Sequence, residues 1–289
     1  MIDGIVVVDK AAGWTSHDVV AKCRGIFGQK RVGHAGTLDP GATGVLLVGL
    51  GRVTRLLRYP GALAKTYVGE VVLGTETSTL DDEGEVTATH DMSGVSLGEV
   101  RTAAERFVGD IEQVPPMVSA VKVGGRRLHE LARAGKEVER EPRPVTVHSF
   151  SVADTADAGV FTIEVTCSAG TYVRVLAADL GHALGGGAHL RNLRRTAVGP
   201  FALAEARPIE ALGPEAVLPP TEAVRGYAAV TVAPAVAESV RHGKVLDAPV
   251  LGAEGAGPWA VVDSDGALLA VYEPYDEARV KPAVVIASA

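Results

Sequence analysis

Arg31-Val32-Gly33-His34-Ala35-Gly36-Thr37-Leu38-Asp39-Pro40-Gly41-Ala42-Thr43-Gly44-Val45-Leu46 is the stretch on which the fold turns. It holds four glycines, a proline, a histidine and one carboxylate, and it leads into an apolar segment. Glycine permits positive φ and close approach of backbone to a ligand, and proline stiffens the chain just after Asp39. The span reads as a rigid loop carrying one positioned acid. The residues alone leave a second reading open, because Asp-Pro and clustered glycines also build ordinary turns. A nucleotide-cradling loop is excluded. Gly36 and Gly41 have its spacing, but Ala42-Thr43 stands where Lys followed by Ser or Thr is required.

Around this loop the chain has 289 residues, enough for a large core and two domains, and 47% of them are apolar. No apolar run reaches the roughly 18 residues a membrane helix needs. The first residues, Met1-Ile2-Asp3-Gly4, lack a basic leader, so no signal peptide is expected. Cys23 and Cys167 form no CxxC pair, and the eight histidines show no HxxxH or HExxH spacing. A cytoplasmic protein without a disulfide or metal site is the expectation. The net charge of −7 argues against a polyanion partner until its distribution is read. Residues 1–60 carry a net +4 and residues 101–200 a net +2, whereas 61–100 and 201–289 carry −7 and −6. Positive charge therefore travels with the Asp39 loop, and local patches decide polyanion binding more than the total does.

The apolar run Ile5–Val8 reads as a buried strand. Ser16 reads as the N-cap of a helix carrying Val19, Val20, Cys23 and Ile26. Further strands are expected at Gly44–Leu50, Thr66–Leu73, Val145–Val152 and Val160–Ser168, and helices at Leu97–Phe107, Arg126–Ala134 and Tyr172–Leu184. The acidic, Thr-rich residues 75–94 suggest a solvated loop. Irregular alternation of these elements favours an α+β fold, with a largely antiparallel sheet flanked by helices, over a doubly wound sheet. Pro208, Pro214, Pro219 and Pro220 suggest a linker. Short Val-rich runs beyond it suggest a small β-barrel-like domain. The expected division is a catalytic domain at 1–210 and a small C-terminal β domain at 228–289.

Three other segments look chemical: Lys65-Thr66-Tyr67, Ser168-Ala169-Gly170-Thr171-Tyr172-Val173-Arg174, and His189-Leu190-Arg191-Asn192-Leu193-Arg194-Arg195. Each alone has a plain structural reading: an edge tyrosine, a surface ion pair, a solvated basic face. Together with Asp9-Lys10-x-x-Gly13 and Ser16, the 31–44 loop, Gly74-x-x-Thr77-x-Thr79-x-Asp81-x-x-Gly84 and Pro115-Pro116-x-x-Ser119-Ala120-x-Lys122, they run in order over residues 4–201. This ordered set resembles the TruB-type tRNA pseudouridine-55 synthases of bacteria. Two departures stand out: Ala11 replaces the proline usual after the lysine, and Met117, Val118 and His129 stand where tyrosines are common.

The resemblance implies the pseudouridine synthase fold with a PUA-like C-terminal domain. It also implies isomerisation of a uridine in the tRNA T-loop, breaking N1–C1′ and making C5–C1′, without cofactor or metal. It makes Asp39 the catalytic carboxylate, with Arg174 as its counter-charge and Tyr67 stacked on the base. Lys10, Gly36, Thr37 and Leu38 would shape the loop and bind substrate, and Tyr172 and Leu193 would line the pocket. His34 would enter the RNA where the base leaves, and Arg194 and Arg195, with Lys30 and Arg31, would face phosphates. A T-stem-loop of tRNA is the implied partner, met by a monomer with no obligatory protein partner and no membrane. Two other readings are carried: a guide-RNA-dependent synthase, which the acidic tail disfavours, and a tRNA-folding chaperone without essential catalysis.

Overall fold

The computed structural model describes residues 2–119, 121–128, 131, 135–136 and 138–286. The chain forms two compact units. One comprises Met1–Pro40, Gly44–Leu63 and Gly199–Ala289, and the other Gly41–Thr43 and Ala64–Val198. The fold is mixed α+β, as its element order predicts. No helix among the described residues is long and apolar enough to cross a membrane.

In the first unit, β1 (Gly4–Lys10) pairs antiparallel with β3 (Thr43–Leu50), from Gly4↔Leu50 to Lys10↔Gly44. Strand β2 (Val32–Ala35) pairs with the other edge of β3. Ile5, Val6 and Val8 of β1 and Val45, Leu46, Leu47 and Val48 of β3 are fully buried, which explains their unbroken apolar runs. The 31–46 stretch is thus not all loop. Val32–Ala35 completes a strand pair, and the true loop is residues 36–42. Helix α1 (Ser16–Ile26) is capped by Thr15, not Ser16. Thr15 Oγ1 accepts from Asp18 N–H at 3.1 Å, and Asp18 Oδ2 accepts from Thr15 N–H at 2.9 Å. Ser16, one residue further on, is 1% exposed and serves the Asp39 loop instead.

The proline-rich stretch after Phe201 is not a loose linker. Between β13 (Phe201–Ala202) and residue 224 it forms short 3₁₀ turns that bury Ile209, Leu212, Ala216 and Val224, and β14 (Arg207–Pro208) pairs parallel with β1. Proline cannot continue a ladder but can start a tight turn, so composition alone does not separate the two cases. The C-terminal Val-rich runs form a curled five-stranded half-barrel. Its strands are β15 (Ala228–Thr231), β16 (Leu246–Asp247), β17 (Trp259–Val262), β18 (Leu268–Pro274) and β19 (Arg279–Val285), in the order β15-β17-β18-β19-β16. Its core packs Trp259, Val261, Leu269, Tyr272 and Val280 against Ala237 and Val240.

The second unit is built on an antiparallel sheet of order β12-β4-β11-β10-β7. These are β4 (Lys65–Leu73), β7 (Gly109–Gln113), β10 (Arg143–Asp154), β11 (Val160–Cys167) and β12 (Ala188–Val198). Burial alternates strictly along β4 and puts Lys65, Tyr67, Gly69, Val71 and Leu73 on the buried face. Helix α3 (Leu97–Glu105), capped by Ser96 and Glu99, packs on β10. Helix α4 (Val173–Ala183), which follows the short α2 (Arg58–Ala62) of the first unit and α3 in chain order, packs on β12. Residues 75–94, expected to be a loop, contain a hairpin of β5 (Thr75–Thr77) and β6 (Val86–Thr89). The helix expected over 126–134 lies mostly outside the described residues. Its first two residues, Arg126–Arg127, form a strand (β9) paired with Lys122–Val123 (β8).

Candidate active site

The Asp39 loop is tied on both sides of its acid. Ser16 Oγ accepts from Leu38 N–H at 2.9 Å and donates to Leu38 C=O at 3.2 Å, so one hydroxyl satisfies both backbone groups of the preceding residue. The carbonyl of Pro40, which follows Asp39, accepts from Lys10 Nζ at 3.0 Å and from Gly13 N–H at 2.9 Å. Lys10 is 1% exposed and also donates to the carbonyls of Ala11 and Trp14 at 3.0 and 2.7 Å. Gly36 has φ +83°, a conformation open to glycine at little cost, and this turns the chain out of β2 into the loop. Asp39 itself is half-buried between two pinned residues, and Thr37 is exposed. His34 sits on β2, half-buried, with its ring edge-on to His17 at 5.3 Å.

The other expected site residues belong to the second unit. Tyr67 is 8% exposed on the buried face of β4, directly opposite Arg195 of β12 and Val165 of β11. Leu193 lies over Gly69, two residues along the same face. A Cβ added at Gly69 would meet Leu193 Cδ1 at 3.4 Å, which is ordinary contact distance. Irregularities in β12 between Arg191 and Arg194 and between Arg195 and Ala197, with Asn192 at φ +54°, redirect this part of the strand. Arg194 is half-buried, with Nη1 donating to Thr43 Oγ1 at 3.1 Å.

Tyr172 and Arg174 occupy the head of α4. Arg174 is 3% exposed. Its Nη1 donates to Thr79 C=O at 2.8 Å, its Nη2 donates to Val118 C=O at 3.1 Å, and its Nη1 stands 3.4 Å from Asp81 Oδ2. Tyr172 is half-buried and is held by Gln113. Gln113 Oε1 accepts from Tyr172 N–H at 2.8 Å, and Nε2 donates to Tyr172 C=O at 3.1 Å.

Two expected substrate contacts do not fit this geometry. Leu38 is 4% exposed, so its side chain anchors the loop from within. Arg195 is 1% exposed and cannot face a phosphate. It lies internally near Lys65, whose ammonium is pulled down to about 8, first by burial and then by the Arg195 charge. The Cys167 thiol, paired in register with Lys65, is pushed up to about 11 by burial. Conversely, two residues hold the site by contacts that the sequence does not announce. Ser16 belongs to the ordered set of motifs, but its hold on Leu38 does not follow from that match, and Gln113 belongs to none of the motif segments. Neither carries a spacing signal, because their partners lie 22 and 59 residues away.

Comparison with known proteins places this arrangement. A model of the TruB family pseudouridylate synthase N-terminal domain matches residues 24–173, and one of the tRNA pseudouridylate synthase B C-terminal domain matches residues 174–218. A Rhodococcus jostii protein named tRNA pseudouridine synthase B is 47% identical over 280 residues, covering 93% of this chain and 90% of its own length. The Nocardia farcinica protein of the same name is 46% identical over 291 residues, covering 99% of this chain and 94% of its own. Among solved structures, a chain of a Cbf5–Nop10–Gar1 complex superposes with a TM-score of 0.77 at 26% identity, covering 99% of this chain and 85% of that one.

Proposed function

The chain belongs to the TruB family of pseudouridylate synthases, and on that premise we propose that it converts uridine to pseudouridine at position 55 in the T-loop of tRNA. The observation that carries this reading is the rigid seat of Asp39, with Leu38 held through both backbone groups and Pro40 held through its carbonyl. A carboxylate that must meet one carbon of a bound nucleotide gains most from such preorganisation. Asp39 either attacks C1′ or promotes a glycal intermediate, and in both routes it acts ionised. Arg174 supplies the positive charge that offsets its desolvation. The N1–C1′ bond breaks, the base turns, and C5–C1′ forms, with loss of the C5 proton to restore the aromatic ring. The target base is first flipped out of the T-loop, and its unstacking cost of a few kcal/mol is offset by contacts in the pocket. Tyr67 stacks on the flipped base, Tyr172 and Leu193 wall it, and His34 fills the space it leaves.

Arg194, with Lys30 and Arg31, takes phosphates. Lys10 and Gly36 fix the loop, and the exposed Thr37 meets the RNA. Residues 1–210 carry the chemistry, and the half-barrel at 228–289 is an accessory RNA-binding surface. The enzyme acts in the cytoplasm as a monomer, without a protein partner. The likeness to a chain of a Cbf5–Nop10–Gar1 complex keeps open a second reading, a guide-RNA-dependent synthase that works with protein partners. The relatives named tRNA pseudouridine synthase B are far more similar in sequence, which favours the guide-free reading. The test is incubation with an unmodified tRNA transcript without guide RNA, followed by pseudouridine mapping. A single product at position 55 is expected. Product elsewhere, or only with added guide RNA, overturns the proposal.

A further inference from the structure

We propose that Gln113 is a positioning residue for the reaction, setting the head of α4 so that Tyr172 and Arg174 face the substrate. The inference rests on the reading above that these two residues serve pseudouridine formation. Gln113 ends β7 and is 2% exposed. Its amide meets the N–H and the C=O of Tyr172, so both ends of the side chain are satisfied by one backbone residue. This is what a neighbouring strand would do, and the next residues of β7 cannot do it. The chain turns away through Pro115 and Pro116, which have no N–H to donate.

Tyr172 needs such an external tie. It is the N-cap of α4, with φ −102° and ψ 104°, and its side chain makes no capping bond. A helix start whose cap does not secure it is free to fray. The same segment is stitched a second time. Five residues after Gln113, the Val118 carbonyl receives Arg174 Nη2. Residues 113–118 thus hold α4 at two points, one on the backbone of Tyr172 and one on the guanidinium of Arg174. These two ties add to the hold of Thr79 on Arg174 and of Thr146 on Ser168 in the preceding turn, and Gln113 is the one that grips the Tyr172 backbone by both its N–H and its C=O.

The variants Gln113→Met and Gln113→Glu test this. Methionine keeps the volume and loses both hydrogen bonds. A carboxylate keeps the acceptor and loses the donor, whereas a protonated carboxyl restores both. The charged groups to consider around it are Arg143, its cross-strand partner on β10, and Arg174 on α4. The measurements are the single-turnover rate on the unmodified transcript, the tRNA Kd, and the melting temperature. Gln113→Met should slow the single-turnover step about 10- to 100-fold, with Kd changed less than about 3-fold. Gln113→Glu, ionised at neutral pH beside these arginines, keeps only the acceptor and should fall between wild type and Gln113→Met in single-turnover rate, with Kd again changed less than about 3-fold. A wild-type rate in Gln113→Met overturns the inference. So does a loss of tRNA affinity in either variant as large as its loss of single-turnover rate. If wild type forms no pseudouridine at position 55, the underlying reading fails instead.

Discussion

Lys10 and Lys65 are both buried lysines within motif segments, one in each unit of the molecule. Lys10 ends β1 and gives its three N–H bonds to the carbonyls of Ala11, Trp14 and Pro40. Three acceptors at 2.7–3.0 Å replace the hydration shell of an ammonium, so the charge becomes the hub of a loop. Lys65 begins β4 in a row with Cys167 and Val198, and the charge of Arg195 opposes its own. The first cation is spent on holding backbone in place. The second is disfavoured as a cation by burial and by the charge of Arg195, on the face that carries Tyr67. Burial of a charge therefore has no fixed meaning; what surrounds it decides whether it stabilises geometry or strains it.

The largest expected effect tests why Lys10 is placed as it is. If its loop exists to present a reagent, Asp39→Asn removes the reagent and leaves the seat. Pseudouridine formation should fall by about 10⁴-fold or more, with tRNA Kd changed only a few-fold. The measurement is single-turnover mapping beside filter binding. Equal loss of binding and rate would mean that the loop is a docking surface and that Lys10 supports recognition, not chemistry.

Lys10→Met attacks the hub itself. Three carbonyls lose a charged donor inside the protein, and hydrogen bonds from charged groups are worth about 1.5–3 kcal/mol each before compensation. Removing the buried charge returns part of this, so a net loss of about 3 kcal/mol in urea unfolding is expected. The single-turnover rate should fall with it, because Pro40 is then held only by Gly13. A stable variant with wild-type rate would break the contrast between the two lysines.

Lys65→Met addresses the strained partner through pH. In the unfolded chain the lysine titrates near 10.5, and in the folded protein near 8. Below pH 8 both states are protonated, and the cost of the buried cation is fully present. Between about pH 8 and 10.5 the unfolded state holds a proton that the folded state has released, so wild-type stability rises with pH through that window. A separation of about 2.5 units corresponds to about 3 kcal/mol. Cys167 acts in the opposite sense above about pH 9, since its thiol is held up near 11. The quantity to measure is therefore wild type minus Lys65→Met, by urea unfolding at pH 7.5, 8.5 and 9.5. That difference should grow with pH. A flat difference would show that Lys65 is not the strained group.

The legibility of these features in the sequence follows their range. The β-branched runs of β1, β3 and β4 announce themselves because every residue, or every second residue, meets the core. Asp39 stands out because glycine and proline mark backbone constraint locally. The β5–β6 hairpin does not announce itself: it is short, Thr-rich and half-solvated, with Val86 62% exposed. Gln113 is silent, and Ser16 shows only as part of a motif, for another reason. Each satisfies one distant backbone residue, which leaves no periodic trace and no special residue type beside it.

Arg194 and Arg195 carry the same contrast on a smaller scale. Adjacent arginines in a sequence read as one basic face, but neighbours on a strand point to opposite sides. Arg195 shares the buried face with Tyr67, whereas Arg194 is half-buried and reaches Thr43. A phosphate contact releases about one counterion, so Arg194→Ala should weaken tRNA binding a few-fold and lower the slope of log K against log salt by about 1. Arg195→Met should leave that slope unchanged, since an internal guanidinium has no phosphate to neutralise. Titrations between about 50 and 200 mM salt would read both. Equal slope losses would mean that Arg195 turns outward when RNA binds, and the buried cation pair with Lys65 would then belong to the free protein only.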